Sequence, residues 1–306
     1  MLAYTLRRIV MLVPILFGVS VLVFMMLHLT PGDPARLIAG PTATPDQVDE
    51  IRTMLGLDQP LYQQYYDYMV RLAHGDLGHS VITHDAVTSE LAPRFIATVQ
   101  LSGAAMLVAV VVGMTFGIIS ATRQYSIVDN ILSVLALLGL STPAYWLGLM
   151  LILLFSLHFG WFPAAGSGGL SHFVLPTLTL SMFAMATVAR MTRGSLLDVL
   201  NQDYVQAARA KGLSESFVLI RHALKNALIP VMTVVGLQVG QLLSGAVLTE
   251  TVFSWPGIGR FLVDSIEARD FPIVQGGVLL TAAVFVIVNL IVDLLYGIVD
   301  PRIRYS

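Results

Sequence analysis

The sequence contains no cysteine, and charged residues make up only 12 % of its 306 positions. Without cysteine the chain can form neither a disulfide nor a cysteine-ligated metal site. Soluble domains carry about 25 % charged residues, whereas hydrophobic residues here reach 56 %, with a mean hydropathy of +0.79. The formal net charge of −2 leaves no basic footprint for nucleic acid. These shortages predict an integral membrane protein and argue against a soluble domain, a disulfide scaffold or a nucleic-acid binder.

Lysine is also scarce, and this limits the chemistry available to the chain. A phosphate-binding loop requires Gly-Lys-Ser or Gly-Lys-Thr, but Lys211 follows Ala210 and Lys225 follows Leu224. The His-Glu-x-x-His pattern of metalloproteases and the Gly-x-Ser-x-Gly pattern of serine hydrolases are missing too. His74, His79 and His84 recur every five residues, which is not the spacing of helical metal ligands. We therefore predict no catalytic residues, no metal site and no ATP site on this chain.

Long apolar runs are abundant. A bilayer core about 30 Å thick needs roughly 20 apolar residues of helix. Such runs are helical in character rather than the short alternating strands of an outer-membrane barrel. The sequence therefore predicts an all-α integral membrane protein with about six transmembrane helices, at residues 9–29, 98–121, 131–157, 173–189, 228–248 and 277–299.

The distribution of lysine and arginine predicts the orientation. If the amino terminus is cytoplasmic, the inner stretches hold 11 basic residues and the outer stretches hold 6. This bias favours cytoplasmic positions for both termini. The first apolar run follows Arg7 and Arg8 but is longer than the core of a signal peptide and lacks a small-residue cleavage site. We interpret it as a retained helix.

The outer stretch 30–97 carries nine acidic and four basic residues. Thr44 and Gln47 have the spacing of a capping box, with Pro45 at the first helical position. A second helix fits Leu61–Ala73, with Gly75 as its stop. The stretch reads either as a small helical cap packed on the membrane domain or as a docking surface for an outside partner, and the two are compatible.

The inner stretch 190–228 predicts a short helix from Asp203, a sharp turn and a second helix. Gly212 suits the position after the first helix, and Ser214 suits the cap of the second. Small residues would let another surface approach the backbone, and basic residues would steer it. The spacing fits equally a lever that contacts a partner and an amphipathic helix on lipid headgroups. The residues concerned are Ala207, Ala208, Arg209, Ala210 and Lys211.

Polar and small residues inside the predicted spans form a second set of candidates. Asp293 and Asn289 share a face of the last span and are either functional groups or packing partners. The third span should kink near Gly139, Ser141 and Pro143. Small residues at four-residue spacing indicate close helix packing, within the chain or at a subunit interface or path. They are Ala109, Gly113, Gly117 and Ala121 in the second span, and Gly236, Gly240 and Ser244 in the fifth, where Gln238 and Gln241 should face protein or a cavity.

Within the inner stretch, Tyr204 to Pro230 contains Gln206-Ala207-Ala208, three further residues and then Gly212. This pattern resembles the Glu-Ala-Ala…Gly signature of binding-protein-dependent ABC importer permeases. Gln206 replaces the glutamate, so we assign it no carboxylate role. Other segments resemble the first permease subunit of the peptide and nickel transporters in this family. They are Pro31-Gly32-Asp33-Pro34, Leu55-Gly56-Leu57-Asp58-Gln59-Pro60, Gly75-Asp76-Leu77-Gly78, Phe253-Ser254-Trp255-Pro256-Gly257-Ile258-Gly259-Arg260, Arg269-Asp270-Phe271-Pro272 and Asp300-Pro301-Arg302-Ile303-Arg304-Tyr305.

The resemblance implies a type I ABC importer permease fold. It divides the chain into a first transmembrane helix (1–29), an extracytoplasmic helical segment (30–97) and a core permease domain (98–306) of five helices. The inner stretch would be the coupling loop that sits in a cleft on an ATPase, with Tyr204, Gln206–Gly212 as its contact residues. The pore or interface candidates are Gly236, Gln238, Gly240, Gln241, Ser244, Asn289 and Asp293.

The resemblance also implies the partners and the location. They are a second homologous permease, two ATPase subunits that carry ATP and Mg²⁺, and an extracytoplasmic substrate-binding protein, in a bacterial or archaeal plasma (inner) membrane. The chain itself would hold no cofactor. The substrate could be a dipeptide, a longer peptide, a glutathione-like peptide or a nickel complex. A stand-alone secondary transporter or channel is the alternative, although the spans show neither the charges nor the paired broken helices of such proteins.

Overall fold

The computed structural model describes residues 2–29, 33–40, 43–54 and 56–299. Within these ranges the chain is helical, and the single β-feature is an isolated bridge between His79 and Ala86. Two π-helical turns, Ile152–His158 and Val218–Ala223, interrupt the α-helices. The α-helices are α1 (Leu2–Leu29), α2 (Pro34–Ala39), α3 (Pro45–Met54), α4 (Leu61–Ala73), α5 (Val87–Thr122), α6 (Ile127–Ser141), α7 (Ala144–Leu151), α8 (Leu170–Leu200), α9 (Asp203–Ala210), α10 (Glu215–Phe217), α11 (Leu224–Val252), α12 (Ile258–Glu267) and α13 (Phe271–Val299).

Four described helical segments are long and apolar enough to cross a membrane, namely Val87–Thr122, Leu170–Leu200, Glu215–Val252 and Phe271–Val292. A fifth candidate is the bent pair of Ile127–Ser141 and Ala144–His158. The first predicted span coincides with α1, whose apolar part, Val10–Met26, is shorter than these candidate spans. Each predicted span therefore falls on a helix, and the predicted all-α membrane fold is confirmed.

The third predicted span differs from its expected form. We expected a kink, but α6 ends at Ser141 and the two halves are bent by 110°. Thr142 is extended, with φ −84° and ψ 124°, and Pro143 caps α7. Proline disfavours a helical conformation in the residue before it and lacks the N–H that would continue the hydrogen-bond ladder. The helix therefore breaks and turns, instead of bending as one rod.

The chain divides into two compact units. An amino-terminal unit comprises Leu2–Ala97 and Gly257–Ile287, and a core unit comprises Thr98–Pro256 and the chain from Val288 onward. The three-part division drawn from the sequence, into 1–29, 30–97 and 98–306, stays a prediction. The amino-terminal unit also takes in residues 257–287, which lie near the other end of the chain.

In the core unit, α8 packs against α5, α6, α7 and α11. Glycines permit the closest of these contacts. A Cβ built on Gly113 would lie 3.0 Å from the Cβ of Val188, and one built on Gly117 would lie 2.5 Å from the Cβ of Thr192. The small-residue stripe of the second span is therefore buried by packing within the chain.

Helix directions in the core unit alternate. Contacts between α5 and α8 advance together along both helices, so these two run parallel. Asp129 pairs with Arg193 while Gly139 lies against Ala186, so α6 runs antiparallel to α8. The hydrogen bond from Ser195 to the carbonyl of Ala227 places the start of α11 beside the end of α8. Successive spans of this unit therefore run antiparallel to one another.

In the amino-terminal unit, α4 packs on α1. The Tyr65 and Ser20 hydroxyl oxygens are 2.9 Å apart, and the rings of Tyr65 and Tyr68 pack against Phe24 at 5.3 and 5.8 Å between centroids. Burial raises the pKa of Tyr68 to about 12. The capping box of α3 is confirmed, because the side chains and backbone amides of Thr44 and Gln47 exchange hydrogen bonds. Packing of α4 on α1 agrees with the helical-cap reading of the outer stretch.

Residues 257–287 pack against the amino-terminal part of the chain inside this same unit. The hydroxyl of Ser80 donates to the Asp270 carboxylate, and the amide of Val81 donates to it at 3.3 Å. The Gln275 side chain donates to the carbonyl of Val23 at 3.1 Å. An apolar cluster joins the same regions, formed by Leu77, Val87, Leu91, Phe95, Ile258, Phe261, Ile273 and Leu280.

Candidate functional site: the inner coupling segment

The inner segment 203–223 has the local structure that the sequence predicts. Helix α9 covers Asp203–Ala210, and Gly212 follows it with φ +78°, a conformation in which a Cβ would be strained. Ser214 occupies the cap position of α10, although its hydroxyl makes no capping hydrogen bond in the described structure. The chain then continues through a π-helical turn into α11. Helix α9 therefore meets the start of the continuous helical segment Glu215–Val252 at a sharp turn that glycine permits, so the predicted second short helix is the beginning of the membrane helix.

One side of this segment is bound to the core unit. Val205, Ala208 and Val218 form a buried cluster, against which Val199 and Leu200 of α8 pack. The Asn226 side-chain amide donates to the Tyr204 hydroxyl at 2.7 Å, which joins α9 to α11. The segment is thus attached to the end of one membrane helix and the start of another.

An ion pair spans the turn. The Arg209 guanidinium donates to both carboxylate oxygens of Glu215, at 3.1 Å from Nε and 2.5 Å from Nη2. This carboxylate raises the pKa of Arg209, which remains cationic at any physiological pH. The pair connects α9 and α10 across Gly212.

The opposite side of the segment is exposed and fits a contact surface for another molecule. Ala208, which the sequence placed with the other alanines, instead points into the buried cluster. The predicted contact residues that are exposed are Tyr204, Gln206, Ala207, Ala210, Lys211 and Gly212. Large apolar side chains lie beside them, with Leu213, Phe217 and Ile220 exposed by 39, 48 and 68 %. Contiguous exposed apolar surface of this kind marks a site for a protein or a lipid surface.

We expect the buried cluster, and not the ion pair, to hold the segment in place. Glu215→Gln should change the free energy of unfolding by less than about 1 kcal/mol, because the pair is largely solvated. Val218→Ala should cost about 1.5 kcal/mol, because it removes two buried methyl groups at roughly 0.8 kcal/mol each. Thermal unfolding in detergent measures both. A larger loss for Glu215→Gln than for Val218→Ala would contradict this assignment.

The other candidates whose side chains the structure describes differ in burial. Gln238 and Gly240 are buried, and the Gln238 Oε1 atom has no hydrogen-bond partner among the described residues. Gly236 and Asn289 are partly buried, whereas Gln241 and Ser244 are exposed. Asp293 lies within α13, but its side chain falls outside the described part of the chain. Gln238 faces protein, and the expectation that Gln241 faces protein or a cavity stays a prediction.

Sequence reasoning missed two buried carboxylates. Glu250 is completely buried near the end of α11 and accepts a hydrogen bond from the Thr98 hydroxyl at 2.6 Å. Asp129 is buried at the start of α6 and pairs with Arg193 of α8. The predicted fifth span ended at residue 248, two positions before Glu250, and Asp129 preceded the predicted third span. Both carboxylates lie at the edge of an apolar run, and this position was the sequence signal that could have revealed them.

Comparison with known proteins decides the family. Residues 113–305 match the family described as "Binding-protein-dependent transport system inner membrane component". Residues 1–102 match its amino-terminal companion, "Binding-prot-dependent transport system membrane comp, N-term". The chain belongs to this family. It is a binding-protein-dependent transport permease, the membrane subunit of an ABC importer, and not a stand-alone secondary transporter or channel.

Full-length relatives support the same assignment for this transport permease. The chain is 47 % identical over 306 residues to "Glutathione transport system permease protein GsiC" of Escherichia coli strain K12, with both proteins covered completely. The protein of the same name from Shigella flexneri serotype 5b is also 47 % identical, with the same coverage. The peptide and nickel branch of the family, which the motifs indicated, is thereby confirmed.

Solved structures confirm the fold of the permease. One is the inward-facing MetNI methionine ABC transporter, with a TM-score of 0.58 at 18 % identity, covering 69 % of this chain and 96 % of that one. Another is an amino acid ABC transporter with histidines, with a TM-score of 0.54 at 18 % identity, covering 70 % and 94 %. The chain therefore has the type I ABC importer permease fold and is a multi-pass inner membrane protein.

Proposed function

We propose that this permease forms one half of the translocation pore of an ATP-driven importer for glutathione. The other half is a second homologous permease, and an extracytoplasmic binding protein delivers the substrate. Both termini and the coupling segment face the cytoplasm. The choice of glutathione as the substrate is supported by the 47 % identity, over the full length, to a permease named for glutathione transport. Dipeptides, longer peptides and nickel complexes remain the competing substrates to be tested.

ATP and Mg²⁺ bind, in this proposal, to two separate ATPase subunits, since the chain has no phosphate-binding loop. The exposed side of the coupling segment supports the contact. Its alanines and Gly212 let a partner approach the backbone closely, and Phe217 and Leu213 supply apolar area. Transport requires the pore to alternate between states that bind ligand differently. The coupling segment links that alternation to closure of the ATPases.

Co-purification tests the assembly. The tagged chain is extracted from its native membrane in mild detergent, and its partners are identified by mass spectrometry. We expect a second permease and ATPases that contain phosphate loops. The complex is then placed in liposomes with the binding protein, and uptake of labelled glutathione is measured with and without ATP. Glutathione uptake by the chain alone, without ATP, would overturn the proposal.

Competition tests the substrate class. Unlabelled glutathione should abolish uptake of the labelled compound, whereas a dipeptide and a nickel complex should compete weakly or not at all. A replacement of the phosphate-loop lysine in the co-purified ATPase serves as the matched inactive control. Stronger competition by a dipeptide than by glutathione would transfer the assignment to peptide import.

A further inference from the structure

The inner end of α8 carries an ion pair between Arg193 and Asp129 of α6. The Arg193 guanidinium donates from Nε and Nη2 to the two carboxylate oxygens of Asp129, each at 2.8 Å. The Ser120 hydroxyl also donates to this carboxylate and receives a bond from Arg193 Nε at 3.1 Å. The backbone amide of Tyr125 donates to it at 3.0 Å. One carboxylate thus joins α5, the turn after it, α6 and α8.

The carboxylate of this pair is buried, the arginine is partly buried, and the geometry of their contact is fixed by two hydrogen bonds. Asp129 is only 2 % exposed, and 29 % of the Arg193 side chain is exposed. A bidentate contact between arginine and a carboxylate fixes the relative orientation of the two groups as well as their distance. Buried ion pairs contribute little net stability compared with well-packed apolar residues of similar volume. A role in fixing the relative position of the helices therefore explains the pair better than a role in stability.

The pair lies close to the coupling segment. Seven residues separate Arg193 from the end of α8 at Leu200, which is about 10 Å of helix. Coupling helix α9 begins three residues later. A displacement of α9 therefore acts on the inner end of α8 directly. The hydrogen bond from Ser195 to the Ala227 carbonyl attaches the same end to α11.

We infer that Asp129 and Arg193 are positioning residues that make the inner ends of α5 and α6 follow α8 when the coupling segment is displaced. This inference rests on the proposed function, in which a partner ATPase displaces that segment. Ser120 aligns the two charged groups by bonding to both. Without the pair, α8 would move while α5 and α6 lag behind, and ATP hydrolysis would be poorly converted into transport.

Spin-label distances test this inference on the complete complex. Because the chain has no cysteine, cysteines introduced at Gln124 and Asn201 label the α5–α6 turn and the end of α8 alone. Both positions are exposed. We expect their separation to be the same with and without ATP, while the distance from Asn201 to a label on the ATPase changes. An ATP-dependent change between positions 124 and 201 would overturn the inference.

Asp129→Asn removes the charge while keeping the shape. We expect substrate transported per ATP hydrolysed to fall roughly tenfold, within the range of 5–150-fold typical of coupling between sites. The 124–201 distance should then change with ATP. Arg193→Lys keeps the charge but loses the two-pronged contact, and should give an intermediate ratio. Asp198→Asn, an exposed carboxylate on the same helix, is the matched control and should behave as wild type.

The outcomes separate the inference from the proposed function. Wild-type transport per ATP in Asp129→Asn would overturn the positioning role. ATP-driven uptake by the unmodified complex tests the proposed function independently, and its absence would overturn that proposal instead. If Asp129→Asn does not assemble, the spin-label distances in the otherwise unmodified chain still decide whether α5 and α6 follow α8.

Discussion

Gly117→Val should prevent α5 and α8 from packing in their observed arrangement. A Cβ at this position would lie 2.5 Å from the Cβ of Thr192 and 2.6 Å from the carbonyl oxygen of Ala189. Backbone cannot move aside as a flexible side chain can. Overpacking in a well-packed core costs roughly 1–3 kcal/mol, and we expect the upper end of this range or more. The midpoint of thermal unfolding in detergent measures the loss.

Gly103→Val provides the matched control on the same helix. A Cβ at Gly103 meets no atom within 4 Å in the described structure. Both variants change the same residue type to the same β-branched residue, so the change in helix propensity cancels in the comparison. Gly103→Val should unfold close to the wild-type temperature. Equal losses at both positions would show that close approach of α5 to α8 does not decide stability.

Gly212→Trp should uncouple transport while leaving membrane insertion intact. A residue with a Cβ at φ +78° costs about 1–2 kcal/mol, and an indole would also occupy the exposed contact surface. Since one or two kcal/mol correspond to a factor of about 5–30 in an equilibrium, uptake at equal expression should fall at least about fivefold. Measuring ATP hydrolysis together with uptake shows whether hydrolysis continues while uptake is lost.

Gly212→Asn separates the effect of backbone strain from the effect of bulk. Asparagine adopts left-handed conformations more readily than most residues, and a Cβ at Gly212 meets nothing within 4 Å in the described chain. The asparagine variant should retain most of the uptake. Normal uptake by Gly212→Trp would show that neither the turn nor the surface transmits movement.

Local signals predicted much of the fold. Helix α4 begins at Leu61 and ends at Ala73, as its residue pattern and Gly75 predicted. The predicted capping box at Thr44 also forms. Such features depend on neighbours within a few residues, so the sequence specifies them directly. The predicted turn at Gly212 belongs to the same class.

Features that depend on distant residues were missed or only partly foreseen. Pro143 predicted a disturbance in the third span, but its 110° break depends on how α7 packs against α8 and α11. The inward orientation of Ala208 depends on Val218, and the burial of Glu250 depends on Thr98 far away in sequence. Residue spacing alone does not show which face of a short helix another element covers.

The packing of residues 257–287 with residues 2–97 in the amino-terminal unit has a consequence for biosynthesis. The carbonyl of Val23 meets its partner Gln275 only after 252 further residues have been made. At about 5–20 residues per second, that delay is roughly 10–50 s. During this time the first helix and the turn around Ser80 lack the groups that complete them. The unit translated first is therefore among the last parts of the protein to mature.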